Sequence, residues 1–439
     1  MRRTEKKNFS FCPSAIECDK IPYIKLCSHA WRLKKIQVIM TRDSKRCGRL
    51  GNVAIQKYFN EGYSYKNILR LLQRLGIVIS MRKLKRILFS LGLARRKPNC
   101  SLAHVCDTLM TEIQGSGSLL GYRCMHQKLR VIHNIQISRN NVMNLQKAID
   151  PIGVAERRAR KLKRRRYITP GPNYLWHLDG YDKLKRYGIC IHGCIDGYSR
   201  KLIWLEAAST NNCPAVVAGF FLNQVKSLKG TALNVRADRG TENSNIAGIQ
   251  RLFRSNDNDF QAIEKSFRFG RSTSNQRIEA FWSQLKRSLT QWWMNFFKDM
   301  IDDGTFDESD EIQRECLKFC FLQLIQKELD DFKLIHNTHR IRRSNTNETT
   351  GGKPELLYSM PNYFGATDFM WNVREAEINV AEAYCRTPNV FGCGNEIETV
   401  GLYFMNENNL RFPSSFQEAK RLYGLLLRFI NGLENAYHF

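Results

Sequence analysis

Apolar residues recur at helical spacing from Leu50 onward. Val53, Ile55, Tyr58 and Phe59 make one short face, broken by Gly62-Tyr63-Ser64. Ile68, Leu69, Leu71, Leu72 and Leu75 make a second face, ended by Gly76. Ser80 stands as the N-cap of a third helix that turns Leu84, Ile87, Leu88 and Leu91 inward and stops at Gly92. Three short helices with tight turns predict a helix-turn-helix unit. The pattern then repeats at a constant offset. Ile77-Val78-Ile79-Ser80, Leu84 and Ile87 correspond to Ile135-Gln136-Ile137-Ser138, Val142 and Leu145. The second unit opens at Gly121-Tyr122-Arg123.

Downstream the period shortens to that of strands. Residues 175–184, 189–198 and 202–208 read as three meandering strands, with Asp196-Gly197 interrupting the second. A helix over 214–228 has Pro214 in its first turn and buries Val216, Val217, Phe220, Phe221 and Val225. A fourth strand follows at 233–237, then a short helix at 246–253. Phe267 and Phe269 fall in a short strand or loop, and a long helix starts near Ser274. This order predicts an α/β core, a mixed sheet flanked by helices, behind an all-α tandem helix-turn-helix region. Phe281, Trp282, Leu285, Leu289, Trp292, Trp293, Phe296 and Phe297 read as core packing on the long helix and its continuation. Cys316 to Phe332 is a further apolar helix. Gly351-Gly352-Lys353-Pro354 breaks the chain before a short helix at Leu356-Leu357-Tyr358. Beyond Met360 the periodicity weakens. Val400-Gly401-Leu402-Tyr403-Phe404 reads as a strand, and Ser415 to Ile430 as a helix. The expected divisions are a basic arm over 1–48, the helical region over 49–150, a basic linker over 151–172, the core over 173–345, and a C-terminal region over 346–439 without an assigned role.

Charge changes the picture. Lys and Arg total 69 against 41 Asp and Glu, a formal net charge of +28. Such an excess favours a polyanionic partner, with nucleic acid first and an anionic membrane or acidic protein as alternatives. The third predicted helix presents Arg82, Lys83, Lys85 and Arg86 outward, and its repeat presents Arg139, Asn140, Asn141 and Asn144. Arginine suits phosphates and guanine edges, and asparagine suits adenine edges. The alternative is a pair of helical hairpins with solvated charges. In the run from Arg157 to Arg166 only Ala159 and Leu162 are uncharged. That run suits a solvated linker, a phosphate-tracking segment or a nuclear import signal.

The 14 cysteines include no CxxC and no zinc-finger spacing with histidine. Cys316 and Cys320 fit a buried apolar stripe, and metal ligation by Cys385 and Cys393 is the lesser reading. No secretory signal is evident and no apolar run is long enough to span a membrane, so reduced thiols in an intracellular protein are expected.

Three acids carry the candidate chemistry. Asp179 lies in Trp176-His177-Leu178-Asp179-Gly180, Asp238 closes the apolar run Val235-Arg236-Ala237-Asp238, and Glu279 sits near the start of the long helix. Two carboxylates at strand ends and one on a facing helix can converge on hard divalent cations, Mg²⁺ or Mn²⁺. Two such ions suit displacement at a phosphodiester. Turn capping by Asp179 and Asp238 is the competing reading. Glu242 and Asp196 are rival acids, the latter better placed to shape a hairpin. Lys286, seven residues beyond Glu279, falls on the same helical face and suits a phosphate contact.

The segments around these acids add a resemblance. Trp176 to Leu184, Ile195-Asp196-Gly197-Tyr198-Ser199-Arg200-Lys201, Arg236-Ala237-Asp238-Arg239-Gly240-Thr241-Glu242-Asn243 and Arg271 to Glu279 resemble the integrase core domain, closest to animal-type proteins of the retroviral integrase and DDE transposase superfamily. His339-Arg340 and Gly352-Lys353-Pro354-Glu355 resemble the segment that follows that core. The resemblance covers about 175–360. It implies a ribonuclease H-like fold and a catalytic, metal-binding triad on Asp179, Asp238 and Glu279. Residues 50–150 are similar, more loosely, to the tandem helix-turn-helix region of insertion-sequence transposases. Two departures stand out. The interval from Asp238 to Glu279 is longer than in retroviral integrases, and their N-terminal His-His-Cys-Cys zinc module has no counterpart. The expected activity is cleavage of DNA ends and their transfer into target DNA by a nuclear homo-oligomer. A mobile-element-derived DNA-binding protein that no longer uses catalysis, and a nuclease on the same fold, are the alternatives.

Overall fold

Two helical triplets precede a five-stranded mixed sheet in the computed structural model, which describes residues 44–95, 99–158, 169–255, 262–270, 275–342 and 351–437. Most of the expected N-terminal arm and most of the basic run up to Arg166 lie outside the described residues.

The first triplet is α1 (Ser44–Asn60), α2 (Tyr65–Arg74) and α3 (Met81–Ser90). Its core gathers Ile55, Phe59, Ile68, Leu72, Leu84 and Leu88. Val53 departs from the expected apolar face and is exposed, while Ala54 is buried in its place. The second triplet is α4 (Leu102–Gln114), α5 (Tyr122–Val131) and α6 (Arg139–Ile149), closed around Leu109, Met125, Leu129 and Val142. The repeated serines cap equivalent helices. Ser80 Oγ accepts from Lys83 N at 3.2 Å, and Ser138 Oγ accepts from Asn141 N at 3.1 Å. Each bond satisfies one of the N–H groups that a helix start leaves without an intrahelical acceptor. A short helix α7 (Pro151–Arg158) leads toward the core.

The sheet comprises β1 (Leu175–Tyr181), β2 (Cys190–Asp196), β3 (Leu202–Ala208), β4 (Asn234–Asp238) and β5 (Phe267–Gly270), in the order β3-β2-β1-β4-β5. The first three strands form an antiparallel meander, and β1, β4 and β5 run parallel. The parallel return from β3 to β4 is carried by α8 (Pro214–Leu228), as crossover geometry requires. The helix α9 (Ser244–Phe253) joins α8 on the same face. On the opposite face lie α10 (Gln276–Leu285), a π-turn at Lys286–Thr290, α11 (Gln291–Asp302) and the 28-residue α12 (Glu311–Thr338).

Long α12 also manages an exposed sheet edge. Asn337 accepts from Leu202 N at 2.8 Å and donates to Leu202 O at 3.0 Å, while Gln326 accepts from Ala207 N and donates to Leu205 O. Side-chain amides thus occupy the backbone positions of β3 that another strand would otherwise seek. Cys316 and Cys320 are buried on this helix as free thiols, as an apolar stripe requires.

The C-terminal helices belong to the same assembly. The expected strand at Val400–Phe404 is instead part of α15 (Asn395–Glu407), which follows α13 (Pro354–Ser359) and α14 (Glu375–Glu382). Phe404, Met405 and residues of α16 (Phe416–Tyr437) enter the core beside α12. Gly401 sits where a Cβ would lie 2.6 Å from the Phe319 ring, so close helix contact with α12 decides the outcome over local β-propensity. None of the described helices is long and apolar enough to cross a membrane.

Candidate active site

Strand alternation sorts the residues of β1 and β4 between the two faces of the sheet. Trp176, Leu178, Val235 and Ala237 enter the core beneath α8 and α9. His177, Asp179, Arg236 and Asp238 therefore face α10. The parallel register pairs Leu175 with Asn234, Trp176 with Val235 and His177 with Arg236. Continued along both strands, it brings Asp179 beside Asp238 at their carboxyl ends.

Asp179 is held by Trp282, whose indole N–H donates to Oδ2 at 3.0 Å. Room for that indole comes from the neighbouring strand. Gly193 pairs with Asp179, and a Cβ there would stand 2.7 Å from Trp282 Cη2. Tyr181 packs against Trp282 with ring centroids 5.1 Å apart, and its hydroxyl reaches Thr290 in the π-turn at 2.6 Å. Burial pushes the Asp179 carboxyl up to about 7. The Trp282 hydrogen bond opposes that rise, and the charges of Asp238 and Glu279 add to it.

Asp238 sits where β4 ends. Its Oδ1 accepts from Gly240 N at 3.2 Å and from the buried Asn243 Nδ2 at 3.0 Å. The same Asn243 amide donates to Glu242 Oε1 at 2.8 Å. Asp238 thus caps its own turn, as the competing reading expects, while its charge reaches Asp179. Glu242 stands at the rim of the group, its pKa raised by partial burial and then by Asp238. Asp196 is elsewhere. It is fully buried and accepts from Asn173 N, Ser199 N and Ser199 Oγ, each at 2.7 Å, which gives it the hairpin-shaping role.

Glu279 is placed by the docking of α10 onto β1. Asn275, at the N-cap position, donates from Nδ2 to Leu178 O at 2.8 Å and accepts from His177 Nδ1 at 2.7 Å. His177 is fully buried, and burial holds its pKa down to about 3, so it is a neutral donor. Asn275 O in turn accepts from Glu279 N at 3.2 Å. Glu279 is half-buried, with a pKa raised first by burial and then by Asp238. The charge of Asp238 consequently reaches both other acids. Among the described residues no three His, Cys, Asp or Glu side chains are drawn tightly enough together to form a ready metal cage. The donor set itself is oxygen-only and mutually repulsive, which fits a hard divalent cation that would relieve the repulsion.

The basic candidates lie outside this cluster. Arg82, Lys83 and Arg86 are exposed on α3, and Arg139 and Asn140 are exposed in the first turn of α6. Lys286 is half-buried and opens the π-turn, so α-helical extrapolation from Glu279 extends only as far as that residue. The pattern of the chain assigns Trp282 to core packing alone. Its position three residues after Glu279, on the same side of the helix, is the signal that links it to the acids. Asn275, Asn243 and Gly193 carry no comparable signal, because their partners lie on other elements.

Residues 166–357 match the model of the family described as Integrase core domain. Residues 166–357 thus carry an integrase core domain, and the mixed sheet with its flanking helices is consistent with the ribonuclease H-like integrase fold. That family is one of polynucleotidyl transferases. It implies DNA as the partner and divalent metal as the usual cofactor. No curated protein matches the sequence.

Proposed function

We propose that the chain is a DDE-type DNA polynucleotidyl transferase that cleaves DNA ends and transfers them into a target duplex. One observation supports this above the rest: Asp179, Asp238 and Glu279 share one face of the sheet, where Asp238 raises the pKa of both neighbours. Asp179 and Asp238 would hold one or two Mg²⁺ or Mn²⁺ ions and Glu279 would complete the set. When bound, the ions supply the Lewis acidity that activates an attacking oxygen and stabilises the leaving oxygen of a phosphodiester. The protein's own contribution is positional. Trp282 orients the Asp179 carboxylate, Asn243 fixes Asp238, and Asn275 sets the start of the helix that carries Glu279.

DNA is carried to these acids by the basic surface. Arg82, Lys83 and Arg86 on one helical triplet and Arg139 and Asn140 on the other contact the duplex in a tandem helix-turn-helix region over 49–150. Lys286 meets a phosphate near the reacting bond. The catalytic core spans 173–345, and a homo-oligomer in the nucleus pairs two DNA ends.

The test is a joining assay with full-length protein, a duplex bearing a free 3′-hydroxyl end, a supercoiled plasmid and Mg²⁺ or Mn²⁺. Joined product from the wild type, absent with Asp238→Asn, is the expected result. Cleavage without joining supports a nuclease on this fold, and DNA binding without either supports a protein that has left catalysis behind.

A further inference from the structure

A cleft of about 440 Å³ opens between the two N-terminal helical triplets. Arg95, His126, Arg130 and Arg139 line it, and no acid does among the described residues. The cations are fixed by neutral groups instead. Arg130 Nη2 donates to Phe59 O at 3.2 Å, and Arg95 donates to Tyr63 O. The Arg95 guanidinium lies 4.7 Å from the Tyr65 ring centroid and 4.9 Å from that of Phe59. His126 Nε2 stands 3.0 Å from Ile137 O.

Such crowding has an electrostatic consequence. The Arg130 guanidinium is brought down to about 10 by burial and by the charge of Arg95. Burial also lowers His126, and Arg130 and Arg139 lower it further. Positive groups are thus gathered with no acid among the described residues lining the cleft, and the Ile137 carbonyl at His126 and Tyr65 at Arg95 offset only part of the cost. The start of α6 adds to the same field. Ser138 takes the N–H of Asn141, and the earlier first-turn N–H groups have no intrahelical acceptor.

We propose that this cleft seats one phosphodiester of a nucleic-acid backbone running between the two triplets. Guanidinium forks and a helix N-terminus both match a tetrahedral oxyanion. The cleft is larger than a lone phosphate group and admits the flanking sugars. This inference deepens the DNA-processing reading and rests on it. It also moves Arg139 from base reading to backbone contact, which positions DNA without selecting sequence.

The experiment measures duplex affinity of the full chain across a range of KCl concentrations, for wild type, Arg95→Gln, Arg139→Gln and the double variant. Arg139 is exposed at a helix start, so its replacement leaves the core intact. Each single variant flattens the plot of log affinity against log salt. The double variant flattens it by no more than about one unit, because both residues serve one phosphate. Unchanged slopes, or a summed loss near two units, overturn the proposal. A second arm replaces chloride by inorganic phosphate at equal ionic strength, and phosphate competes with DNA on the wild type but not on the double variant. Thermal protection by phosphate with unchanged DNA slopes makes the cleft a free-anion site and removes the nucleic-acid assignment. Wild-type protein that joins DNA ends while the variants keep the full slope removes the cleft proposal alone. Wild-type protein that binds no duplex removes the DNA reading and, with it, the backbone assignment.

Discussion

The Asp179 carboxyl shows what the site costs. Its pKa of about 7, against an ordinary 3.8, means that the folded chain keeps a proton which the unfolded chain has already released. The folded state therefore binds more protons between those values, and stability falls as pH rises through that window. Asp179→Asn removes the penalty. In EDTA the variant should be more stable than wild type at pH 8 by on the order of 1–3 kcal/mol, with the gain shrinking toward pH 4. Denaturant melts at both pH values measure this, and an equal gain at each would show that repulsion is not the cause. The same exchange should abolish joining, an instance of stability given up for chemistry.

At the scale of elements, the start of α10 is decisive. Its N-cap residue Asn275 makes no cap hydrogen bond with its side chain and spends that side chain on β1 instead. Asn275→Ala removes the side chain to which the buried His177 Nδ1 donates and which donates to the Leu178 carbonyl, which should cost about 2–3 kcal/mol. Urea unfolding reads that cost. A single-turnover joining rate reduced by more than tenfold reads the displacement of Glu279. A variant that joins at the wild-type rate would show that α10 is held by its apolar face alone. Element boundaries on the sheet were largely legible, because β3 and α8 follow their hydrophobic periods to the residue. α15 was not. Val400 to Phe404 has β-forming residues in sequence, and only contact with α12 makes them helical.

Across the whole molecule, the first helical triplet is tied to the last stretch of the residues that match the integrase core domain. Leu356 of α13 is buried in the cluster of Ile55, Phe59 and Leu84, and Lys353 Nζ donates to Glu61 O at 2.7 Å. Gln127 of the second triplet meets Thr338 at the end of α12 at 3.0 Å. The helices that carry the exposed basic residues are thereby positioned by residues that follow the candidate active site in the chain. Leu356→Ala should destabilise this junction by about 2–4 kcal/mol. Limited proteolysis should then release a fragment ending near residue 95 while the sheet remains protected. Uniform resistance in wild type and variant would show that the junction does not hold the triplet.

Residue types and local period were enough to locate four strands of the sheet, most helices and the duplicated serine-capped units, since those depend on patterns within a few residues, whereas the three acids were singled out by the family-like segments around them. Tertiary structure alone decided how the acids are held. Parallel pairing brought β4 to β1, Gly193 made space for Trp282, and Asn275 fastened α10 to the strand beside Asp179. It also opened the arginine-lined cleft, whose walls come from turns and helices separated in sequence. Hydrogen bonding and charge act over a few ångströms in space, and chain order does not record that distance.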